Sequence, residues 1–202
     1  MAEDVPSPID LSTLADALAW EASASERPGR VQMLEAFVIE LQKSKPSAIL
    51  ELGSGPGFLA ERILNALPEV SYAALDFSAV MHDLARSRLG ARGQQVTWIE
   101  RDFRSAGWSR DLPKVSAIVT LQAVHELRHK SRAAALHARV RDLLAPGGSY
   151  LMCDHWCGDG GMANSELYMS LDEHAAALAS AEFDNFERVM RAGTLVFFRA
   201  TI

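Results

Sequence analysis

A short apolar run that ends in spaced glycines constrains this chain more than any other feature. Ala48-Ile49-Leu50-Glu51-Leu52 has the length and make-up of a buried strand, and Gly53, Gly55 and Gly57 stop it. Leu59, Ile63, Leu64 and Leu67 follow at helical spacing, up to Pro68. This order sets the unpaired N–H groups of a helix start beside the carboxyl end of a strand. Open α/β sheets bind ligands at that place, and glycines let the backbone turn sharply and come close to them.

The alternation continues. Ser71–Leu75, Val96–Glu100, Val115–Leu121 and Tyr150–Cys153 read as further strands. Ser78 is a cap for a helix running to Leu89, with Gly90 as its stop. Ser131 is a cap for a helix with Leu136, Val140, Leu143 and Leu144 on its core face, followed by a turn at Pro146-Gly147-Gly148. Ser170 to Ala181 reads as a helix, and Phe186–Met190 and Leu195–Ala200 as a closing antiparallel hairpin around Gly193. Two amphipathic helices come first. Leu11, Leu14, Ala15, Leu18 and Ala22 mark one face, and Val31, Leu34, Phe37, Val38 and Leu41 the other, with Pro28-Gly29 as the break. Lys45-Pro46 ends the second. The pattern predicts an α/β fold, a mostly parallel sheet with helices on both faces. One domain over 1–202 is expected, with 1–45 as a helical flank or lid on a core of 46–202. The first eight residues, with two prolines and two acids, predict a frayed end.

Composition narrows the function. Twenty basic residues against 26 acids leave a net charge of −6, which disfavours a broad nucleic-acid footprint. Cys153 and Cys157 are the only cysteines, too few for a disulfide framework. No apolar run approaches the roughly 20 residues of a membrane span, and no leader peptide is expected from the acidic start. A cytoplasmic protein without membrane or nucleic-acid partners is the expectation. His125, His129, Asp154, His155 and Cys157 include metal-ligand types, but no acid-rich set accompanies them. Gly158-Asp159-Gly160-Gly161 is too short for a calcium loop, so no metal is expected.

The loop itself selects among ligands. A phosphate-binding Walker loop needs Lys after its last glycine, and Phe58 stands there. The G-x-G-x-x-G dinucleotide spacing fails at the same residue, which disfavours an NAD-type dehydrogenase. Glu51 would repel a pyrophosphate and welcome a ligand bearing an ammonium and a sulfonium. Glu51-x-Gly53-x-Gly55-x-Gly57 resembles the first motif of the class I, Rossmann-like S-adenosylmethionine-dependent methyltransferases. The resemblance covers roughly Ile49 to Ile202. It implies a seven-stranded sheet in the order 3-2-1-4-5-7-6 with the last strand antiparallel, and S-adenosylmethionine as cofactor. It places Glu51 near the methionine amino group and Gly53, Ser54, Gly55 and Gly57 beside methionine and ribose. Asp76, ending the second strand, would take both ribose hydroxyls, with Phe77 against the adenine. Asp102, beside Phe103, would accept from the adenine amino group. Leu121, in Thr120–His125, would line the pocket around the sulfonium, and Leu143–Gly148 resembles the turn before the fifth strand.

The acceptor should sit over the carboxyl ends of the fourth and fifth strands. His125 there is either a general base or a hydrogen-bond partner of its own loop, and Glu126 either orients it or acts itself. Asp154 and His155 are the further catalytic candidates. Trp156 either stacks on a planar substrate or packs as part of a lid. Arg30 either meets a carboxylate of cofactor or substrate, or is a surface arginine, the reading its sequence context favours. Arg128, Lys130 and Arg132 read as a solvated helix start. Leu121-Gln122-Ala123-Val124 lacks the Asn-Pro-Pro-Tyr-like pattern of enzymes that methylate base amines. A small-molecule acceptor, taken by a monomer or homodimer, is the expectation. The rivals are a protein or RNA methyltransferase and a protein that binds the cofactor without transferring its methyl.

Overall fold

The computed structural model describes residues 2–24, 26–183 and 185–202. Two helices, α1 (Leu14–Ala24) and α2 (Arg30–Ser44), precede β1 (Ala48–Leu52). Then come α3 (Phe58–Ala66), β2 (Ser71–Asp76), α4 (Ala79–Leu89), β3 (Val96–Glu100) and β4 (Val115–Leu121). After α5 (Ala133–Leu143), β5 (Leu144–His155) and α6 (Leu171–Ser180), the chain closes with β6 (Asn185–Ala192) and β7 (Leu195–Thr201). The sheet order is β3-β2-β1-β4-β5-β7-β6, with β7 antiparallel to both neighbours and the other pairings parallel. This is the expected Rossmann-like architecture. No helix among the described residues is long and apolar enough to cross a membrane.

Alternation along the strands feeds two cores. Leu50, Leu52, Ile118, Tyr150 and Met152 pack on one face beneath α5 and α6. Ile49, Tyr72, Ala117, Val119 and Leu151 pack on the other beneath α2 and α3. Both faces are dry, which is why the central strands read as unbroken apolar runs. The chain leaves β1 in one direction, through β2 and β3, and returns to β4 on the other side. The carboxyl ends of β1 and β4 therefore diverge and open a crevice.

Ser78 caps α4 through its bond from the Met81 N–H at 3.1 Å, Gly90 ends that helix, and Ser170 forms a reciprocal capping box with Glu173. Other local expectations are overturned. Ser131 does not cap α5. It sits in a single 3₁₀ turn with its hydroxyl 2.8 Å from His129, and α5 starts without a side-chain cap. Leu144 and Pro146-Gly147-Gly148 lie inside β5. The register slips between Val115↔Leu144 and Ala117↔Ser149, so the turn is a bulge in a longer strand. The α1 face is also misread: Leu14 and Leu18 are exposed, while Ala17 and Ala24 are buried. Small residues let that helix lie close where it covers the body, and periodicity cannot report this. In α2, Leu34, Phe37 and Leu41 are buried as expected, but Val31 is exposed and Met33 takes its place.

The described residues of the N-terminal segment are tied to the body, against the frayed end expected. The Val5 N–H donates to the Arg128 carbonyl at 2.8 Å, and the Ser78 hydroxyl donates to the Leu11 carbonyl at 2.6 Å. Met1, the first of those eight residues, lies outside the described ones. Gly29, which starts α2, seats the helical flank on the sheet edge. It has φ +85°, and a Cβ there would collide with the Ala192 carbonyl at the end of β6. Gly29→Ala should therefore destabilise the fold by more than about 1 kcal/mol, read as a lower chemical-denaturation midpoint at unchanged slope.

Candidate active site

A cavity of about 410 Å³ lies over the carboxyl ends of β1, β2 and β4. That is within the roughly 300–1,000 Å³ of small-molecule sites. Glu51, Gly53, Ser54, Gly55, Asp76, Phe77, Asp102, Phe103, Leu121, His125 and His155 all line it. Two of the expected residues do not. Gly57 faces α4, where a Cβ would stand 3.0 Å from that of Ala85. Its smallness lets two helices pack and does not face the ligand space. Asp154 lies behind His125, 2 % exposed.

Gly53 explains the glycine at the head of the loop. Its φ is +67°, and a Cβ would collide with the Cβ of Ala123 on the loop after β4. The two loops that flank the crevice touch here. Asp76 fastens the rest: its Oδ2 accepts the Gly55 N–H at 2.8 Å and its Oδ1 accepts the Ser78 N–H at 2.9 Å. Burial raises its pKa, against the pull of these backbone bonds. Glu51 is 2 % exposed and accepts the Tyr72 hydroxyl at 2.7 Å. Burial pushes its carboxyl up to about 8, the Tyr72 bond and Arg30 oppose this, and the Asp76 charge adds to it. The protein's own residues thus leave this acid short of positive charge. Asp102 is more exposed and is already engaged by Arg104, with contacts of 2.8 to 3.1 Å.

The far end of the cavity is a histidine cluster. Asp154 Oδ2 accepts the His125 backbone N–H at 2.7 Å, and its Oδ1 faces His125 Nδ1 at 2.6 Å. The carboxylate thereby fixes the Nδ1–H form and turns Nε2 outward. Glu126 Oε1 stands 3.3 Å from Nε2. Burial pulls the His125 pKa down, but the charge and hydrogen bond of Asp154, joined by Glu126, raise it to about 10. His155 is different. Gln122 Nε2 donates to its Nε2 at 2.9 Å and its Nδ1 faces the Thr194 hydroxyl at 2.8 Å, so both ring nitrogens are spoken for. Burial lowers its pKa to about 4, and it is a neutral support. Among the described residues, no group of three or more His, Cys, Asp and Glu side chains is placed to hold a metal ion.

Three residues stand where their sequence context does not put them. Arg30 is buried, donating to Gln122 Oε1. Arg128 is also buried. It donates to the carbonyls of Val5 at 2.9 Å and Pro6 at 2.7 Å and to Glu126 at 3.1 Å, strapping the N-terminal segment across the cavity. Trp156 is buried beneath Gly158 and Gly161 with Arg191 over its ring at 4.7 Å, away from the cavity. The sequence carries no mark of the contacts of Tyr72, Gln122 and Thr194, since a lone tyrosine, glutamine or threonine has no spacing that points to its partner.

Residues 49–148 match the methyltransferase domain family. A malonyl-[acyl-carrier protein] O-methyltransferase of Halalkalibacterium halodurans is 27% identical over 109 residues, 54% of this chain and 39% of that protein. The solved structure of PigF with SAH superposes with TM-score 0.75 at 17% identity, over 94% of this chain and 60% of that one. Human N-acetylserotonin methyltransferase in complex with SAM gives TM-score 0.71 at 15% identity, over 95% and 57%. The chain thus spans about two fifths of the curated relative and under two thirds of the solved ones.

Glu51 allows a test of the site's electrostatics. A carboxyl whose folded pKa is raised contributes stability below its ordinary value of 4.5 and loses it as pH climbs through about 8. Glu51→Gln keeps an acceptor for Tyr72 and removes the buried charge. Thermal melts should show the ligand-free variant more stable than the wild type above about pH 8, with the gap closing on acidification.

Proposed function

We propose that this chain, which has the class I, Rossmann-like fold of S-adenosylmethionine-dependent methyltransferases, transfers a methyl group from that cofactor to a small-molecule acceptor. The supporting observation is that one cavity joins the glycine loop and Asp76 to the His125–Asp154 pair. The residues present fit the cofactor. Glu51, a buried acid, suits the methionine ammonium, and Arg30, a buried cation, suits its carboxylate. Asp76 retains lone pairs for the ribose hydroxyls, and Phe77 and Phe103 offer apolar walls for the adenine. Bound there, the cofactor supplies an already activated methyl on a sulfonium, open to in-line displacement.

The protein's share is to align the nucleophile, exclude water and manage a proton. The N-terminal strap and Trp20 roof the cavity, which favours a small acceptor over a protein or RNA. The relative's name, an O-methyltransferase, is consistent with an oxygen nucleophile. His125 accepts the acceptor's proton at Nε2. Asp154 holds the ring and stabilises the imidazolium that results. Asp154 is thus a positioning residue and His155 a wall.

Calorimetric titration should show saturable binding of S-adenosylmethionine and none of NAD, with Asp76→Ala weakening the former by roughly ten-fold or more, as expected for lost hydrogen bonds to a charged group. Absence of binding by the folded wild type overturns the reading. His125→Ala should lower kcat by about 100-fold or more while cofactor affinity stays near wild type. Because Asp154 raises the His125 pKa, the base form in wild type appears only on an alkaline limb of kcat/KM. Asp154→Asn should move that limb to lower pH, and an unmoved limb removes Asp154 from this role.

A further inference from the structure

Arg30 and Arg27 face the cavity from the junction of α1 and α2. Arg30 is 4 % exposed, and among the described residues it has no carboxylate oxygen within 4.0 Å. Arg128, the other arginine buried this deeply, has Glu126 and two carbonyls. Arg30 has only Gln122, the rings of Trp20 at 5.1 Å and Phe58 at 5.4 Å, and an Nε without any partner. A buried guanidinium stays charged and is costly without a counter-charge.

Its placement is built. Gln122 adopts φ +57°, a left-handed backbone that costs energy in a non-glycine residue. That geometry lets its amide hold Arg30 on one side and His155 on the other, while Thr194 fixes His155. Three side chains and a strained peptide thus hold one cation at the ligand space.

Arg27 repeats the pattern without the same support. It is half-buried, lies 4.5 Å over the same Trp20 ring, and donates only to the Ser23 hydroxyl at 3.2 Å. Among the described residues it too has no carboxylate partner. The two cations differ in whose field they enter. Arg30 acts on Glu51, whereas Arg27 acts on His155 and Tyr168. Those two rings lie 5.5 Å from that of His125.

We propose that Arg27 selects an acceptor that carries a carboxylate, while Arg30 is matched by the carboxylate of the cofactor. The proposal rests on the methyltransferase reading. One carboxylate balances one guanidinium, and Glu51 balances the ammonium. Asp154 offsets the charge of His125, and Glu126 offsets that of Arg128. The sulfonium and Arg27 remain, so the acceptor end is positive and draws an anion.

The test titrates two probe pairs into protein saturated with S-adenosylhomocysteine: 4-hydroxybenzoate against 4-hydroxybenzamide, and succinate against succinamide. The carboxylate of at least one pair should bind roughly ten-fold tighter than its amide. Arg27→Gln should erase that preference and leave S-adenosylhomocysteine affinity unchanged, and Arg27→Lys should restore part of it. Arg30→Gln should weaken S-adenosylhomocysteine but not 5′-methylthioadenosine, which lacks the carboxylate. No carboxylate binding, equal binding of the amide, or a preference that survives Arg27→Gln overturns the proposal. So does loss of S-adenosylhomocysteine affinity through Arg27 in place of Arg30. If the wild type binds no S-adenosylhomocysteine, the methyltransferase reading fails. The same probe titrations into ligand-free protein then decide whether Arg27 selects carboxylates.

Discussion

One carboxylate joins the parts of this site. Asp76 ends β2, and its two oxygens accept from Gly55 on the β1 loop and from Ser78 at the start of α4. Ser78 in turn caps α4 and donates to the Leu11 carbonyl of the N-terminal segment. Loop, helix start and strap are therefore held at fixed distances from one buried anion. The divergence of β1 and β4 opens the crevice, and this anion gives it a rigid floor. Any ligand group that donates to Asp76 meets a geometry already set, which reduces the ordering cost of binding.

Charge burial is the second organising feature. Glu51, Arg30 and Asp154 are removed from water at or just behind one cavity, which His125 lines. They are treated unequally. Asp154 receives three donors, from the His125 and His155 backbones and the His125 ring, and its pKa falls to about 2 despite burial. Glu51 has one donor and its pKa rises, and Arg30 keeps an unpartnered Nε. The satisfied charge serves the protein's own histidine. The unsatisfied ones stand where a ligand's opposite charges are expected. Such incomplete pairing lowers the stability of the fold and is commonly found at functional sites.

Much of this was legible without a structure. The glycine loop, Glu51 and Asp76 lie at the ends of apolar runs, and a strand end that gives way to a sharp turn leaves that local mark. Ser78, Gly90 and Ser170 were legible as helix boundaries because capping depends on a few neighbouring atoms. The bulge at Pro146-Gly147-Gly148 was not, since a turn and a bulge use the same residues and only the partner strand's register separates them. Asp102 carries its pairing to Arg104 two residues on, yet an acid near an arginine in sequence says little about whether they bond.

The sequence by itself determined the order of elements, the fold class and the strand-end acids, because these follow from local periodicity and from which residues a tight turn admits. Only the tertiary structure decided the partners of the charged side chains. Arg30 and Gln122 are distant in the chain, as are Arg128 and Val5, and Asp154 and His125. Whether such a group is solvated or buried depends on which loops the sheet brings together. That explains why the arginines that read as surface residues proved to be the roof fastening and the cationic wall of the cavity.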